Sequence, residues 1–342
     1  MTGSREADST APLNEPLHAE VARAAAVLRA GGLVALPTET VYGLGADARN
    51  LHAVNRIFAA KRRPADHPLI VHIADVAQLC DWCADLPAAA ALLAEAFWPG
   101  PLTLILRRDT RVLDAVTGGQ DTIGLRVPAH PVALALLREF GGGIAAPSAN
   151  RFGHISPTTA AHVRAELGDE VDMILDGGAC SVGIESTIVD LTAAQPRILR
   201  PGGVGRAQIE AVLGVSLPDS VLELSAAPRV SGALPSHYAP TTPVRWVDGG
   251  QLGAAVQRAA LDGAVGVIAL GRANAEPPAP RASARIEWRA LSIDPADYAR
   301  VLYARLRELD ECNLAVILLE VPPATAAWEA VRDRLRRAAG LG

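Results

Sequence analysis

The chain has 342 residues, half of them apolar and a fifth charged, with a net charge of −5 and a mean hydropathy of +0.20. That length suits two domains, each able to bury its own core, and the acidic balance argues against broad polyanion binding, which rests on many Lys and Arg contacts to phosphate. No apolar run approaches membrane-spanning length and "MTGSREADST" lacks the basic and apolar regions of a signal peptide, so a soluble cytoplasmic protein with no membrane contact is expected.

From Leu17 the positions Leu17, Val21, Ala24 and Leu28 recur at helical spacing, with Asn14 as a candidate cap and Gly31 as the stop. "LVALP" reads as a buried strand, followed by a helix from His52 to Lys61 and a strand in "PLIVHI". The alternation continues with helical "PAAALLAEAF", strands "LTLILRR" and "TIGLRVP", helix "PVALALLREF", strand "GGIAAPSA" and helix "TTAAHVRAEL". Strands "VDMILDG", "STIVDLT" and "RILRPG" and helix "RAQIEAVLG" close this part. Consecutive strands near Cys180 imply some antiparallel pairing, hence a mixed α/β sheet.

Periodicity fails between Val215 and Pro243, where Ser, Pro, Gly and Ala dominate. A second, shorter α/β alternation follows, from "VRWVD" to "WEAVRDRLRRA", and predicts a small open sheet flanked by helices. The expected organisation is a flexible extension over 1–14, a first domain over 15–214, a linker over 215–243 and a second domain over 244–342.

Two motifs are decoys. "GLGADA" has the loose form of a dinucleotide fingerprint, but "TETVY" separates it from its strand. Cys80 and Cys83 form C-x-x-C, yet Cys180 and Cys312 are isolated, so the pair reads as half-buried thiols on a helix and not as a zinc site.

Four stretches carry candidate chemistry. "PTETVYGLG" sets Thr38, Glu39 and Thr40 at a strand end, where polar groups either face a ligand or cap a turn. "KRRPADHP" holds the chain's only lysine, Lys61, with Arg62, Arg63 and His67 on a proline-stiffened loop and Arg56 one face-step earlier; this suits a polyphosphate or a solvated surface. "APSANRFGHISPTT" places Ser148 and Asn150 after a strand and reads Ser156 with Pro157 as a helix start. "GIESTIVD" interrupts apolar sequence with Glu185, Ser186 and Thr187, which need partners if buried.

Together with "WPGPLTLIL", "DTIGLRVPAHP", "ILRPGG" and "SHYAPTTPV", these stretches resemble the YrdC-like family of threonylcarbamoyl-AMP synthases, in its long form with an added C-terminal domain. The resemblance implies a twisted mixed sheet of YrdC-like type and a smaller Rossmann-like second domain. It implies synthesis of threonylcarbamoyl-adenylate and pyrophosphate from L-threonine, bicarbonate and ATP, with Mg²⁺ accompanying the ATP. The product would pass to the transferase machinery that modifies tRNA. Carried over by motif, Thr40, His72, Arg126, Ala146 and Ser186 would contact threonine. Lys61 and Arg63 would be the catalytic cations, and Arg63, His67, Thr122, Ser148, Asn150, Ser156, Arg200 and Tyr238 would face the nucleotide. Tyr238 would make the linker a lid over it. An RNA-binding module that contacts tRNA without forming an adenylate is the alternative, disfavoured by the net charge.

Overall fold

A computed structural model of the chain describes residues 15–218, 227–232, 238–271 and 284–341. The candidate cap Asn14, the extension 1–14 and two parts of the linker, 219–226 and 233–237, lie outside the described residues.

Helix α1 (Glu15–Arg29) buries Val21, Ala24, Ala25 and Leu28, one face at the spacing read from the sequence. Strands β1 (Val34–Leu36) and β2 (Gly43–Asp47) pair antiparallel, so the connection 37–42 doubles back at their ends. Helix α2 (Leu51–Lys61) starts on Asn50, whose side chain accepts from the Ala53 N–H at 3.2 Å. Strand β3 (Ile70–His72), helix α3 (Ala88–Phe97), strand β4 (Leu102–Arg107), helix α4 (Asp114–Thr117) and strand β5 (Thr122–Arg126) follow. The first part ends with α5 (Pro131–Phe140), β6 (Ile144–Ala145), α6 (Ala160–Leu167), β7 (Met173–Ile174), β8 (Thr187–Asp190), β9 (Arg197–Arg200) and α7 (Arg206–Leu213).

Nine strands form one mixed sheet in the order β7-β1-β2-β6-β3-β5-β4-β8-β9. Both faces are covered. Val34 and Leu36 turn to the layer of α1 and α5, whereas Ala35 between them turns to the larger core under α2 and α3. In the parallel pair β3 and β5, His72 lies opposite Arg126, so two side chains 54 positions apart in sequence end side by side.

The second part has strands β10 (Val244–Val247), β11 (Val265–Leu270), β12 (Ile286–Leu291) and β13 (Val316–Glu320) with helices α8 (Leu252–Ala259), α9 (Pro295–Asp310) and α10 (Glu329–Ala338). Its sheet is wholly parallel, in the order β10-β13-β11-β12. Tyr298, Leu302, Tyr303 and Leu306 of α9 share one apolar cluster with Val41, Ile155, Ile184 and Tyr238, so the two parts are joined by packing. Gly183 permits the approach: its φ is +81°, and a Cβ there would stand 2.5 Å from the Ala299 carbonyl oxygen of α9.

Two expectations are corrected. Ser156 does not begin a helix; α6 starts at Ala160 with Thr159 as its cap, accepting from the His162 N–H at 3.2 Å. Cys80 and Cys83 lie in and just after a 3-10 turn, Val76–Asp81, the first thiol exposed and the second buried. The "GLGADA" decoy is, in agreement with its rejection as a dinucleotide turn, mostly strand β2. Among the described residues no helix is long and apolar enough to cross a membrane.

Candidate active site

The ends of β3 and β5, the 37–42 connection and the turn before β8 border a recess that is partly open to solvent. On one wall the Thr38 hydroxyl bonds the Thr40 hydroxyl at 2.8 Å and donates to the Val41 carbonyl at 2.6 Å, fixing the turn. Glu39 is buried and accepts from Arg126 Nη2 at 2.6 Å through one oxygen and from the Ala129 N–H at 2.9 Å through the other. Arg126 Nε donates to the Gly100 carbonyl at 3.1 Å, supplied by the "WPGP" turn. With Nε and Nη2 each holding a partner the guanidinium is fixed in orientation, and its remaining N–H groups are those that can meet an anion in the recess.

His72 is buried beside this guanidinium, and its Nδ1 has no hydrogen-bond partner. Burial first, and then the Arg126 charge, push its pKa down to about 3, so the imidazole is neutral near pH 7. The Ser186 and Thr103 hydroxyls bond at 2.7 Å, and Arg200 Nη2 donates to the Ser186 carbonyl at 2.8 Å. Ala146 and Ser148 complete this wall, bringing Thr40, His72, Arg126, Ala146 and Ser186 around one space.

The cationic wall differs from a set of free charges. Lys61 is 1% exposed, and its ammonium donates to the carbonyls of Ser148 and Asn150. Burial, and then the charge of Arg63, hold its pKa well below the ordinary lysine value. Lys61 therefore fastens the 148–150 loop from behind. Arg63 donates to the Pro68 carbonyl at 2.8 Å and lies 5.8 Å from the Phe152 ring, which also meets His67 edge-on at 5.1 Å. Burial lowers the Arg63 pKa to about 10, and burial followed by Arg63 also lowers that of His67. The Nε of Arg63 and Oδ1 of Asn150 are buried without partners. Arg200 Nη1 donates to the Ser231 carbonyl at 2.9 Å, bringing a linker residue to the recess. Thr122 lines an adjoining groove that shares Ile70 and Ser231 with it. Arg56 leaves the cation cluster: it pairs with Asp172 at 2.9 Å.

Ser156 is fully buried and donates to Glu185 at 2.7 Å. Tyr238 is buried with φ at +60° and stacks on Tyr303 at 5.8 Å. Sequence reasoning missed Thr103 and Arg334, and singled out Glu39 and Glu185 without naming their partners. A lone hydroxyl within apolar "LTLILRR" marks Thr103. Arg334 shares a helical stripe with Val331, Leu335 and Ala338, a poor place for a solvated charge.

The parallel C-terminal sheet, the mixed sheet and a recess lined by fixed donors define a two-domain α/β protein with a polar site at its strand ends. A family model described as "Telomere recombination" matches residues 26–202, and one described as "Threonylcarbamoyl-AMP synthase, C-terminal domain" matches 204–340. The threonylcarbamoyl-AMP synthase of Bacillus subtilis is 42% identical over 330 residues, covering 96% of this chain and 94% of the relative. That of Pyrococcus abyssi is 41% identical over 326 residues, 93% of each chain. The crystal structure of Pyrococcus abyssi Sua5 complexed with L-threonine superposes with a TM-score of 0.85 at 39% identity, over 95% of both chains. The chain belongs to the threonylcarbamoyl-AMP synthase family, in the form that carries the C-terminal domain.

Proposed function

We propose that this recess makes threonylcarbamoyl-adenylate from L-threonine, bicarbonate and ATP, for the threonylcarbamoyladenosine modification of tRNA. The observation that carries the assignment is Arg126, which lines the recess and is gripped at Nε and Nη2, so that its guanidinium is preorganised for a carboxylate. Threonine binds there through its carboxylate, with Thr40, His72, Ala146 and Ser186 around its side chain and amine. Neutral His72 adds no competing charge and leaves the neutral amine free to add to bicarbonate, which loses one oxygen as water, taking up an amine proton, to give the carbamate. The carbamate oxygen then attacks the α-phosphorus of ATP, and pyrophosphate departs. Lys61, Arg63 and Arg200, with Ser148, Asn150, Ser156, Thr122, His67 and Tyr238, form the nucleotide side; their contribution is positioning and charge neutralisation. The reaction needs no side-chain nucleophile. Enclosure by the 227–232 segment and Tyr238 limits hydrolysis of the labile mixed anhydride.

Mg²⁺ enters as part of the ATP substrate. Both carboxylates at the recess are committed, Glu39 to Arg126 and Glu185 to Ser156, Tyr303 and Arg334, and the described residues contain no metal-ligating cluster. That donor set fits an ion held by phosphate oxygens and water. The unstable product passes to the tRNA threonylcarbamoyl transferase machinery, and the work is cytoplasmic. The test is mass analysis of products from ATP, Mg²⁺, threonine and bicarbonate. A threonylcarbamoyl-adenylate signal with equimolar pyrophosphate is expected; pyrophosphate release that ignores omission of threonine overturns the reading.

A further inference from the structure

Arg334 of α10 is a fully buried arginine at the junction of the two parts, with none of its side chain exposed. Its Nε donates to Glu185 Oε2 at 2.6 Å, its Nη2 to the Pro201 carbonyl at 3.0 Å, and its Nη1 to Asp333. The guanidinium lies 5.1 Å from the Tyr238 ring centre. Glu185 Oε2 also accepts from the Tyr303 hydroxyl at 3.0 Å, while Oε1 takes the Ser156 hydroxyl at 2.7 Å. Glu185 lines the recess, next to Ser186.

These contacts pose an electrostatic problem and its solution. A buried carboxylate on the wall of a polyphosphate site repels its ligand, and in that setting a unit charge is weakly screened. Arg200 faces Glu185 from the same domain but is divided between Ser186 and Ser231. The direct ion pair comes from the other domain. A weld between domains could be apolar and here largely is, so the charge pair needs a further reason.

We propose that Arg334 is a positioning residue for the adenylation reaction: by neutralising Glu185 it keeps Ser156 in place and the recess open to ATP, so the C-terminal domain sets nucleotide affinity. This rests on the reading that ATP occupies the recess. Burial works to raise the Glu185 carboxyl, and the charges of Arg334 and then Arg200 outweigh it, leaving it at about 2. Tyr303, Tyr238 and Asp333 are the other titratable groups facing the cluster. Without Arg334 the carboxyl pKa rises, and protonation at lower pH then relieves the repulsion.

The experiment measures the KM for ATP and for threonine in the full chain carrying Arg334→Met, Glu185→Gln or both. Arg334→Met is expected to raise the KM for ATP by about tenfold or more, with the KM for threonine moving far less. That increase should shrink as pH is lowered from about 8 to about 6, and the double variant should return the KM to within about threefold of the native value and abolish the pH limb. Glu185→Gln alone, which leaves Arg334 without its partner, supplies the fourth corner of the double-mutant cycle. A native KM for ATP in Arg334→Met, or a double variant as impaired as the single one, overturns the proposal. Should Arg334→Met not fold, the double variant decides: near-native ATP affinity supports neutralisation, and a loss of about tenfold or more overturns it. Arg200→Met separates the underlying reading, because an unchanged KM for ATP there places the nucleotide elsewhere and overturns both.

Discussion

Lys61 shows how one atom type can decide a position. Two carbonyl oxygens converge on its ammonium in a buried space, and a compact head with three donors satisfies both without occupying the volume of a guanidinium. Lys61→Arg overpacks that space at a cost of about 1–3 kcal/mol and displaces Ser148 and Asn150. The expected outcome is a KM for ATP raised by about tenfold and a lower melting temperature, read by steady-state kinetics and calorimetry. Arg126→Lys should act on the other substrate. Loss of the fork held by Glu39 and Gly100 removes about 2 kcal/mol of charged hydrogen bonding, a factor of roughly thirty in the KM for threonine. His72 gives a pH dependence. Its pKa is about 3 in the folded chain against 6.5 when exposed, so the unfolded chain binds the extra proton between those values. Its contribution is complete above pH 6.5 and is lost as pH falls toward 3. His72→Asn should flatten the fall in urea stability between pH 7 and pH 5, by on the order of 2 kcal/mol. The motif residues around these atoms were legible because hydroxyls and charges at strand ends stand out. What each side chain would grip was not, since Glu39 meets Arg126 across 87 positions.

At the scale of elements, periodicity succeeded where burial is one-sided. The helical face of α1 is the stripe Val21, Ala24, Ala25 and Leu28, and α9 buries its apolar side in the same manner. The helix start at Ser156 was misplaced because Ser-Pro and Thr-Thr both carry capping chemistry within four residues. A carboxylate remote in sequence engaged the serine, leaving Thr159 to cap. Arg334 shows the converse, a charge on a buried stripe whose reason lies in another domain. Gly183 is likewise unreadable from its neighbours, because the atoms it makes room for belong to α9. Gly183→Ala combines a left-handed φ with a backbone clash and should cost about 2 kcal/mol or more, separating α9 from the Ile184 cluster. Chemical denaturation monitored at Trp328, whose ring packs against Tyr298 of α9, should then show a lower midpoint.

For the whole molecule, the alternation of strands and helices announced two α/β units. It did not announce strand order, because nothing local tells β7 to lie beside β1 or β6 to part β2 from β3. Nor did composition reveal that Tyr238, Tyr303 and Arg334 would close over Glu185 from two directions. The pairing of β1 with β7 joins Val34 to Met173, and that of β3 with β5 joins His72 to Arg126. Such contacts form late, since the entropy of closing long loops must be met before they stabilise anything. Helical structure built from local contacts precedes them. On dilution from denaturant, the far-ultraviolet signal should therefore recover well before threonine is bound again, the binding pocket being among the last features acquired by a refolding chain.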